Sequence, residues 1–192
     1  LAIPAADAKR TAAADALLKA SPGKQLNEQQ ACGVFGALGV PQAQPAVMTD
    51  ANAKVDIGYP VVAKILSPDI AHKTDARGVV LNIADAAALK QAATDIFTRV
   101  KAKHPQAKLN GILVQRMERG LAEVIVGYKR DPQVGPLVVI GVGGVLAEIY
   151  KDFAMRLAPV TPETALQMIE EVKGLAVIRG YRGMTKGDCK AL

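Results

Sequence analysis

Hydrophobic and polar residues follow one another along this chain in two ways: a helical period of three to four residues, and short apolar or alternating runs. The helical pattern and its capping residues predict helices at Asp7–Ala20, Glu28–Leu38, Ala51–Asp56, Asp85–Lys103 and Pro162–Lys173. The short runs predict strands at Ala46–Met48, Pro60–Lys64, Gly78–Ile83, Gly111–Gln115, Glu123–Gly127, Leu137–Ile140 and Met155–Leu157. The longest helix should bury one face, which consists of Leu89, Ala93, Ile96, Phe97 and Val100.

The order of these elements is neither a regular βαβ alternation nor an all-β pattern. It therefore predicts an α+β fold with two lobes and a cleft between them. We expect residues 1–25 to be a linker with a helical stretch that joins an upstream domain, because Ser21-Pro22-Gly23 interrupts the pattern. Residues 26–192 form the predicted domain, with lobes at about 26–115 and 116–192.

Composition and charge narrow the functional classes. Half of the residues are hydrophobic but only 4% are aromatic, which predicts a core of aliphatic side chains. The net charge is +6, yet the basic residues are scattered and no aromatic residues alternate with them, so we expect a small polyanionic ligand rather than nucleic acid. No apolar run has membrane-spanning length, and two cysteines without metal-ligand spacing indicate a reducing, cytoplasmic setting.

A lysine and a histidine lie close together after the second predicted strand. Lys64 ends the apolar run Pro60–Ala63, where its ammonium group can reach phosphate oxygens. His72 follows on a polar loop and can titrate or carry a phosphoryl group. Taken alone, the two residues fit an exposed lysine and an ordinary loop histidine better, because surface exposure is usual for such residues.

Two further segments fit a nucleotide site that has no phosphate-binding loop of the common kinds. Gly141–Gly144 follows a strand, but Leu146 replaces the third glycine of a dinucleotide fingerprint. Two interpretations of this segment remain: a tight turn between strand and helix, or a backbone that can approach an anionic group closely. Gln115, Arg116 and Met117 end a strand and can form a backbone hinge that binds an adenine edge. Glu123 begins the next strand and can bind ribose hydroxyls.

Charged residues after the glycine segment offer further chemistry. Glu148 and Asp152 are four residues apart and would share one face of a helix, where they can ligate Mg²⁺, orient a histidine, or simply face solvent. Arg156 can stabilise a phosphoryl group in transfer, or pair with one of these acids.

Several ordered motifs together resemble one family, the ATP-grasp domain of nucleoside-diphosphate-forming acyl-CoA synthetases of the ADP-forming acetate–CoA ligase type. The resemblance runs from about Leu26 to the last residue. Its motifs are Gly58–Lys64, Ser67–Asp75, Gly78–Asn82, Glu123–Gly127, Lys129–Pro136, Gly141–Val145 with Glu148, Lys151–Pro159 and Gly180–Gly183.

This resemblance implies an ATP-grasp fold that holds ATP or ADP with Mg²⁺ between two α+β lobes. The implied reaction is acyl-CoA + ADP + phosphate ⇌ acid + CoA + ATP, through a phosphohistidine. The implied partner is a CoA-binding, CoA-ligase domain that carries the acceptor histidine, in the same polypeptide or in a partner subunit. From the scattered charge and the short apolar runs, we expect neither nucleic acid nor a membrane as a partner.

The resemblance also gives roles to individual residues. Lys64 matches the phosphate-binding lysine, the Gln115–Met117 segment matches the adenine hinge, and Glu123 lies beside the nucleotide. Glu148 matches an acid near the histidine phosphate, and His72 matches the loop histidine that can carry phosphate. Together with Arg156, His72 and Glu148 are the predicted catalytic residues. The metal ligands are not identified, with Asp152 as one candidate.

Three departures from the family pattern affect these expectations. Arg77 stands where the family usually has glycine, the helix between Asp50 and Gly58 is short, and the family's final Glu-x-Asp-Ile-Asn-Pro segment, which binds Mg²⁺, does not occur in this sequence. We therefore expect the isolated fragment to be inactive. Two alternatives remain open: an ATP-grasp subunit of the succinyl-CoA-synthetase type, and a non-catalytic nucleotide-binding module that regulates a protein acetyltransferase.

Overall fold

The computed structural model describes residues 7–21, 25–70, 72–144 and 147–192, and these contain five α-helices, seven strands and two short 3₁₀ helices. The helices are α1 (Ala8–Ala20), α2 (Glu28–Ala37), α3 (Ala86–Lys103), α4 (Ala147–Tyr150) and α5 (Pro162–Glu171). The strands are β1 (Ala46–Met48), β2 (Val61–Leu66), β3 (Val79–Ile83), β4 (Gly111–Arg116), β5 (Val124–Asp131), β6 (Gly135–Val142) and β7 (Phe153–Leu157). The 3₁₀ helices span Lys173–Val177 and Tyr181–Gly183. The predicted α+β class is confirmed.

The described residues fall into two compact units, which meet in the sequence at Glu118 and Arg119. The first unit contains a four-stranded antiparallel sheet with strand order β1-β4-β2-β3. Helix α1 packs against α2, and α3 packs against β2 and β3. Within the described ranges, no helix has both the length and the apolar character needed to cross a membrane.

Helix α3 forms where the sequence predicts it, because its caps and its periodicity agree. The Asp85 side chain accepts a hydrogen bond from the Ala88 amide at 2.8 Å, which satisfies one free N–H of the first turn. Lys101 and Lys103 in the last turn favour the negative end of the helix dipole. The buried face, Leu89, Ala92, Ala93, Ile96 and Val100, covers the sheet and forms the core of the first unit.

Strand β2 lies at the centre of this sheet and is buried along almost its whole length. The sequence predicted its end at Lys64, and this was wrong: Ile65 and Leu66 continue the strand and are almost fully buried against β4. Lys64, which is only partly buried, is therefore inside the strand and pairs with Leu113 of β4 and Val79 of β3. A charged residue can occupy this position because, as described below, its ammonium group has partners.

The short helix predicted at Ala51–Asp56 is absent from the described chain, where only a turn forms at Ala51 and Asn52. The Asp50 carboxylate accepts a hydrogen bond from the Asn52 amide at 2.7 Å, an arrangement that closes a turn. After it, partly buried residues alternate with exposed ones, and Ala53, Val55 and Ile57 pack against the core at every second position.

The second unit contains a three-stranded antiparallel sheet with order β5-β6-β7. Strands β5 and β6 form a hairpin that is longer than predicted, because the Asp131 carboxylate binds the amides of Gln133 and Val134 and closes the turn at its tip. One face of the sheet packs against α5 and the first 3₁₀ helix, through a core of Ile140, Ala154, Met168, Ile169, Val172, Leu175 and Ile178. Helix α5 begins with Pro162 after Thr161, whose hydroxyl accepts from the Thr164 amide.

Candidate functional site

Lys64 is the centre of a polar cluster on the sheet of the first unit. Its ammonium group lies 2.6 Å from Glu28 Oε1 and 3.0 Å from Gln115 Oε1. Gln115 is held in turn, because its amide nitrogen donates to the carbonyl oxygen of Ala43 at 3.2 Å. The lysine that the sequence assigned to phosphate and the first residue of the predicted hinge are therefore in direct contact.

Glu28, the first residue of α2, binds two lysines at once. Its Oε2 lies 2.9 Å from Lys73 Nζ, while its Oε1 binds Lys64. Burial raises the pKa of this carboxyl, but the hydrogen bonds and charges of Lys64 and Lys73 outweigh burial and hold the pKa below its ordinary value. We call Glu28, Lys64 and Lys73 the carboxylate–lysine cluster.

His72 lies on an exposed loop beside this cluster. Two backbone hydrogen bonds fix the turn that follows. The Ala76 amide donates to the His72 carbonyl oxygen at 3.2 Å, and the Gly78 amide donates to the Lys73 carbonyl oxygen at 2.8 Å. His72 lines a cavity of about 410 Å³ together with Lys64, Lys73, Thr74, Asp75 and Val79. The two lysines and the histidine thus face a common space large enough for a phosphate group.

Arg77 adopts a left-handed backbone conformation in this loop, with a φ of 52°. Glycine is the residue that takes this conformation without a steric cost. This conformation gives a physical reason why the family that the sequence resembles usually has glycine at this position.

The segment predicted to act as a hinge, Gln115–Met117, lies at the end of β4. Arg116 is exposed, and its side chain approaches Glu118 only to 4.0 Å. The Met117 amide donates to the carbonyl oxygen of Pro60 at 2.9 Å, so this N–H group is already engaged by the protein. These bonds fix the backbone of Gln115–Met117 against β2.

In the second unit, Glu123 packs against the glycine segment. The Gly143 amide donates to the Glu123 carbonyl oxygen at 2.7 Å. A Cβ atom at Gly143 would lie 3.0 Å from the Glu123 backbone, and Gly144 has a φ of 87°. These glycines therefore let the chain turn tightly against Glu123, which agrees with the turn interpretation of Gly141–Gly144.

Glu148 and Asp152 do not share a helix face, which corrects the helical arrangement considered from their spacing. Helix α4 ends at Tyr150, and Lys151 has a φ of 48°, which breaks the helix before Asp152. The two acids nevertheless line one cavity of about 400 Å³, most of whose other lining residues are apolar. The Asp152 carboxylate accepts from the amides of Lys173 and Gly174 at 3.2 and 2.7 Å, so it also caps the first 3₁₀ helix.

Arg156 points to helix α5, where it forms an ion pair with Glu171. Its second guanidinium nitrogen donates to the Met155 carbonyl oxygen at 2.9 Å. An ion pair was one of its two predicted roles, but the acid is Glu171 rather than Glu148 or Asp152.

The structure thus places Lys64, His72 and Gln115–Met117 in the first unit, and Glu123, Glu148, Asp152 and Arg156 in the second. Across the ranges that are described, no group of three or more His, Cys, Asp or Glu residues has the arrangement of a metal site. Glu28 is the site residue that the sequence did not reveal. The Asn27 cap before it predicted only a helix start, and the structure adds Gln30 as the second half of a capping box.

Comparison with known protein families gives a match over most of the chain. The model of a family described as ATP-grasp domain matches residues 17–192. The chain is 40% identical over 173 residues to acetate–CoA ligase [ADP-forming] I subunit beta of Pyrococcus furiosus, a match that covers 88% of the chain and 75% of that subunit. It is 46% identical over 136 residues to acetate–CoA ligase [ADP-forming] I of Archaeoglobus fulgidus, of which the match spans only 20%.

Solved structures are similar in fold as well. The dinucleotide-forming acetyl-coenzyme A synthetase 1 of Ca. Korarchaeum cryptofilum, in complex with coenzyme A, Ca-AMPCP and HgCl⁺, superposes with a TM-score of 0.82 at 37% identity and covers 92% of this chain and 80% of that one. Another structure of that enzyme holds coenzyme A and Mg-AMPPCP, with a phosphohistidine segment that points towards the nucleotide-binding site. It has a TM-score of 0.74 at 33% identity and covers 93% of this chain and 79% of that one.

Proposed function

The chain belongs to the ATP-grasp domain family of ADP-forming acetate–CoA ligases, as the sequence motifs predicted, and we propose that it binds ATP or ADP for an acid–CoA ligase reaction. The proposed reaction is acyl-CoA + ADP + phosphate ⇌ acid + CoA + ATP. The observation that carries this proposal is the common cavity of Lys64, Lys73 and His72, because it combines two cations for phosphate oxygens with a side chain that can hold a phosphoryl group.

Lys64 is the proposed ligand of the nucleotide phosphates. Its ammonium group is held by Gln115 rather than free in solvent, so less side-chain entropy is lost when a phosphate binds. The Gln115–Met117 segment is the proposed adenine hinge. The Met117 amide is already bound to the Pro60 carbonyl, so the Met117 carbonyl and the backbone groups of Arg116 are the proposed partners of the adenine edge. Glu123 is the proposed partner of the ribose hydroxyls.

His72 is the proposed phosphate carrier. A phosphoryl group on an imidazole nitrogen adds negative charge, which Lys64 and Lys73 beside it would stabilise. Transfer to ADP breaks the N–P bond and forms an O–P bond at the terminal phosphate of the nucleotide. The relative whose phosphohistidine segment points towards its nucleotide site supports this assignment.

Glu148 and Arg156 are the proposed residues that act near the transferring group, and Mg²⁺ is the proposed metal. Mg²⁺ is usually held by one or two carboxylates together with substrate phosphates, so it needs no complete protein cage. Glu148 and Asp152 fit that requirement because they line one cavity, although Asp152 is also bound by two backbone amides. The metal would neutralise phosphate charge during transfer.

The proposed partner is a CoA-binding domain that carries the acceptor histidine. It lies either in a second subunit, as the name of the Pyrococcus subunit beta suggests, or in the same polypeptide, as the greater length of the Archaeoglobus ligase suggests. The proposed location is the cytoplasm, where a reducing environment keeps CoA and the free thiols of Cys32 and Cys189 reduced.

The function is tested with the full-length protein, together with its CoA-binding subunit if that is a separate chain. ATP formation from ADP and phosphate is followed by luminescence while a series of acyl-CoA thioesters is supplied. We expect ATP to form with at least one thioester, in proportion to the CoA released. Nucleotide binding without any acyl-CoA-dependent ATP formation would instead favour the non-catalytic regulatory module.

A further inference from the structure

The carboxylate–lysine cluster has the form of an anion site that is already occupied. Each oxygen of the Glu28 carboxylate binds its own ammonium group, Lys64 at 2.6 Å and Lys73 at 2.9 Å. All three side chains are about three-quarters buried, with 23–26% of their surface exposed. Two ammonium groups repel each other, so they converge here because a carboxylate lies between them.

A phosphoryl group offers these lysines the same contacts with more charge. It presents several acceptor oxygens and up to two negative charges, whereas the carboxylate presents two oxygens and one charge. The cavity shared by Lys64, Lys73 and His72 provides room for such a group next to both ammonium groups. Glu28 and an incoming phosphoryl group would therefore compete for the same donors.

The Glu28 carboxylate is also placed so that it can move away from the two lysines. It is the first residue of α2, a helix that packs mainly against α1 among the described elements. The Asn27–Gln30 capping box holds the start of α2 through backbone and amide groups, so the helix end does not depend on the Glu28 carboxylate. Rotation of one side chain is enough to release both lysines.

We propose that Glu28 is the resting occupant of the phosphate site, which its carboxylate fills until a phosphoryl group displaces it. Because the carboxylate is tethered, its effective concentration is high, and monovalent anions such as chloride or acetate compete with it poorly. Glu28 thereby selects for multiply charged phosphoryl groups. The identity of the ligand as a nucleotide rests on the proposed function.

The test compares Glu28→Gln with wild type and with Glu163→Gln, which removes a first-turn glutamate from α5 in the other unit. Binding of ADP, AMP and pyrophosphate is measured by calorimetry. We expect Glu28→Gln to lower the Kd for ADP and pyrophosphate by about three- to tenfold, equivalent to the loss of one competing ion pair. AMP lacks the distal phosphate, so its Kd should be the same for Glu28→Gln and for wild type. Glu163→Gln should behave like wild type with all three ligands.

Unchanged or weaker binding of ADP and pyrophosphate in Glu28→Gln would overturn the inference, since weaker binding means that the carboxylate positions the lysines for the ligand. The same conclusion follows if Glu28→Gln binds no pyrophosphate. Tighter pyrophosphate binding without any binding of ADP would leave the role of Glu28 intact and refute the nucleotide function. If Glu28→Gln fails to fold, Glu28→Asp, which is too short to bridge both lysines, should show a smaller gain, and no gain would overturn the inference.

Discussion

The ammonium group of Lys64 donates a hydrogen bond to the side-chain oxygen of Gln115 over 3.0 Å, across the adjacent strands β2 and β4. The two residues are diagonal neighbours on one face of the sheet, because Lys64 pairs with Leu113, two residues before Gln115. This bond links the proposed phosphate ligand with the proposed adenine hinge through two rigid strands. Lys64 and Gln115 are therefore positioned by the sheet, whereas His72 and Lys73 lie on the loop that follows β2.

The carboxylate–lysine cluster should make stability depend on pH. The pKa of Glu28 is held below its ordinary value of 4.5, so the cluster contributes its stability above that pH and loses it as the pH falls through the lowered pKa. At pH 7 we expect Glu28→Gln to lower the free energy of unfolding by about 1 kcal/mol. At pH 3 the difference should shrink. Urea unfolding of wild type and Glu28→Gln at both pH values measures this difference in the free energy of unfolding. An equal difference at pH 7 and pH 3 would show that the ionisation of Glu28 does not contribute to stability.

Replacement of His72 separates phosphate transfer from nucleotide binding. In the full-length protein, we expect His72→Ala to abolish acyl-CoA-dependent ATP formation, because His72 is the one imidazole among the described residues that line the cavity. ADP affinity should stay within about twofold, since the lysines remain. The matched control is His104→Ala, which changes the histidine that caps the end of α3 and should keep its activity. Near-normal ATP formation in His72→Ala would refute the carrier role.

Arg77 should be replaceable by glycine with a gain in stability. Its φ of 52° costs an L-residue about 1 kcal/mol, and its side chain is exposed, so Arg77→Gly relieves strain without the loss of a buried contact. Arg130→Gly, at an exposed position inside strand β5, is the control and should destabilise the protein by roughly 0.5–1 kcal/mol. Thermal unfolding distinguishes the two. A loss of stability in Arg77→Gly similar to that of the control would show that the loop does not strain this residue.

The parts of the fold that depend on local signals could be predicted from the sequence. Helix α3 combines an N-cap at Asp85 with one continuous apolar face, and the structure has both. The family motifs identified the ATP-grasp domain, which the family match over residues 17–192 confirms. Lys64 and Gln115 were singled out separately, and the antiparallel pairing of β2 and β4 brings them together.

The parts that depend on long-range contacts could not be predicted. Glu28 binds Lys64 from 36 residues away, and no local pattern distinguishes it from an exposed helix-start glutamate. The end of β2 was placed too early because a lysine resembles a strand boundary unless its partners are known. Glu148 and Asp152 have helical spacing, but the left-handed backbone of Lys151 ends the helix between them.

The most direct test of the central claim is the affinity of the chain for ADP, measured by calorimetry after Lys64→Met. The claim is that this lysine binds the nucleotide phosphates, so its loss should weaken binding by about 1.5–3 kcal/mol, the range for hydrogen bonds to charged groups. The matched control is Lys129→Met, which removes another strand lysine that pairs with a carboxylate, Asp131 at 3.7 Å, but on the exposed hairpin of the second unit. We predict a large loss of ADP affinity in Lys64→Met and none in Lys129→Met. An unchanged affinity in Lys64→Met, or an equal loss in both variants, would contradict the account.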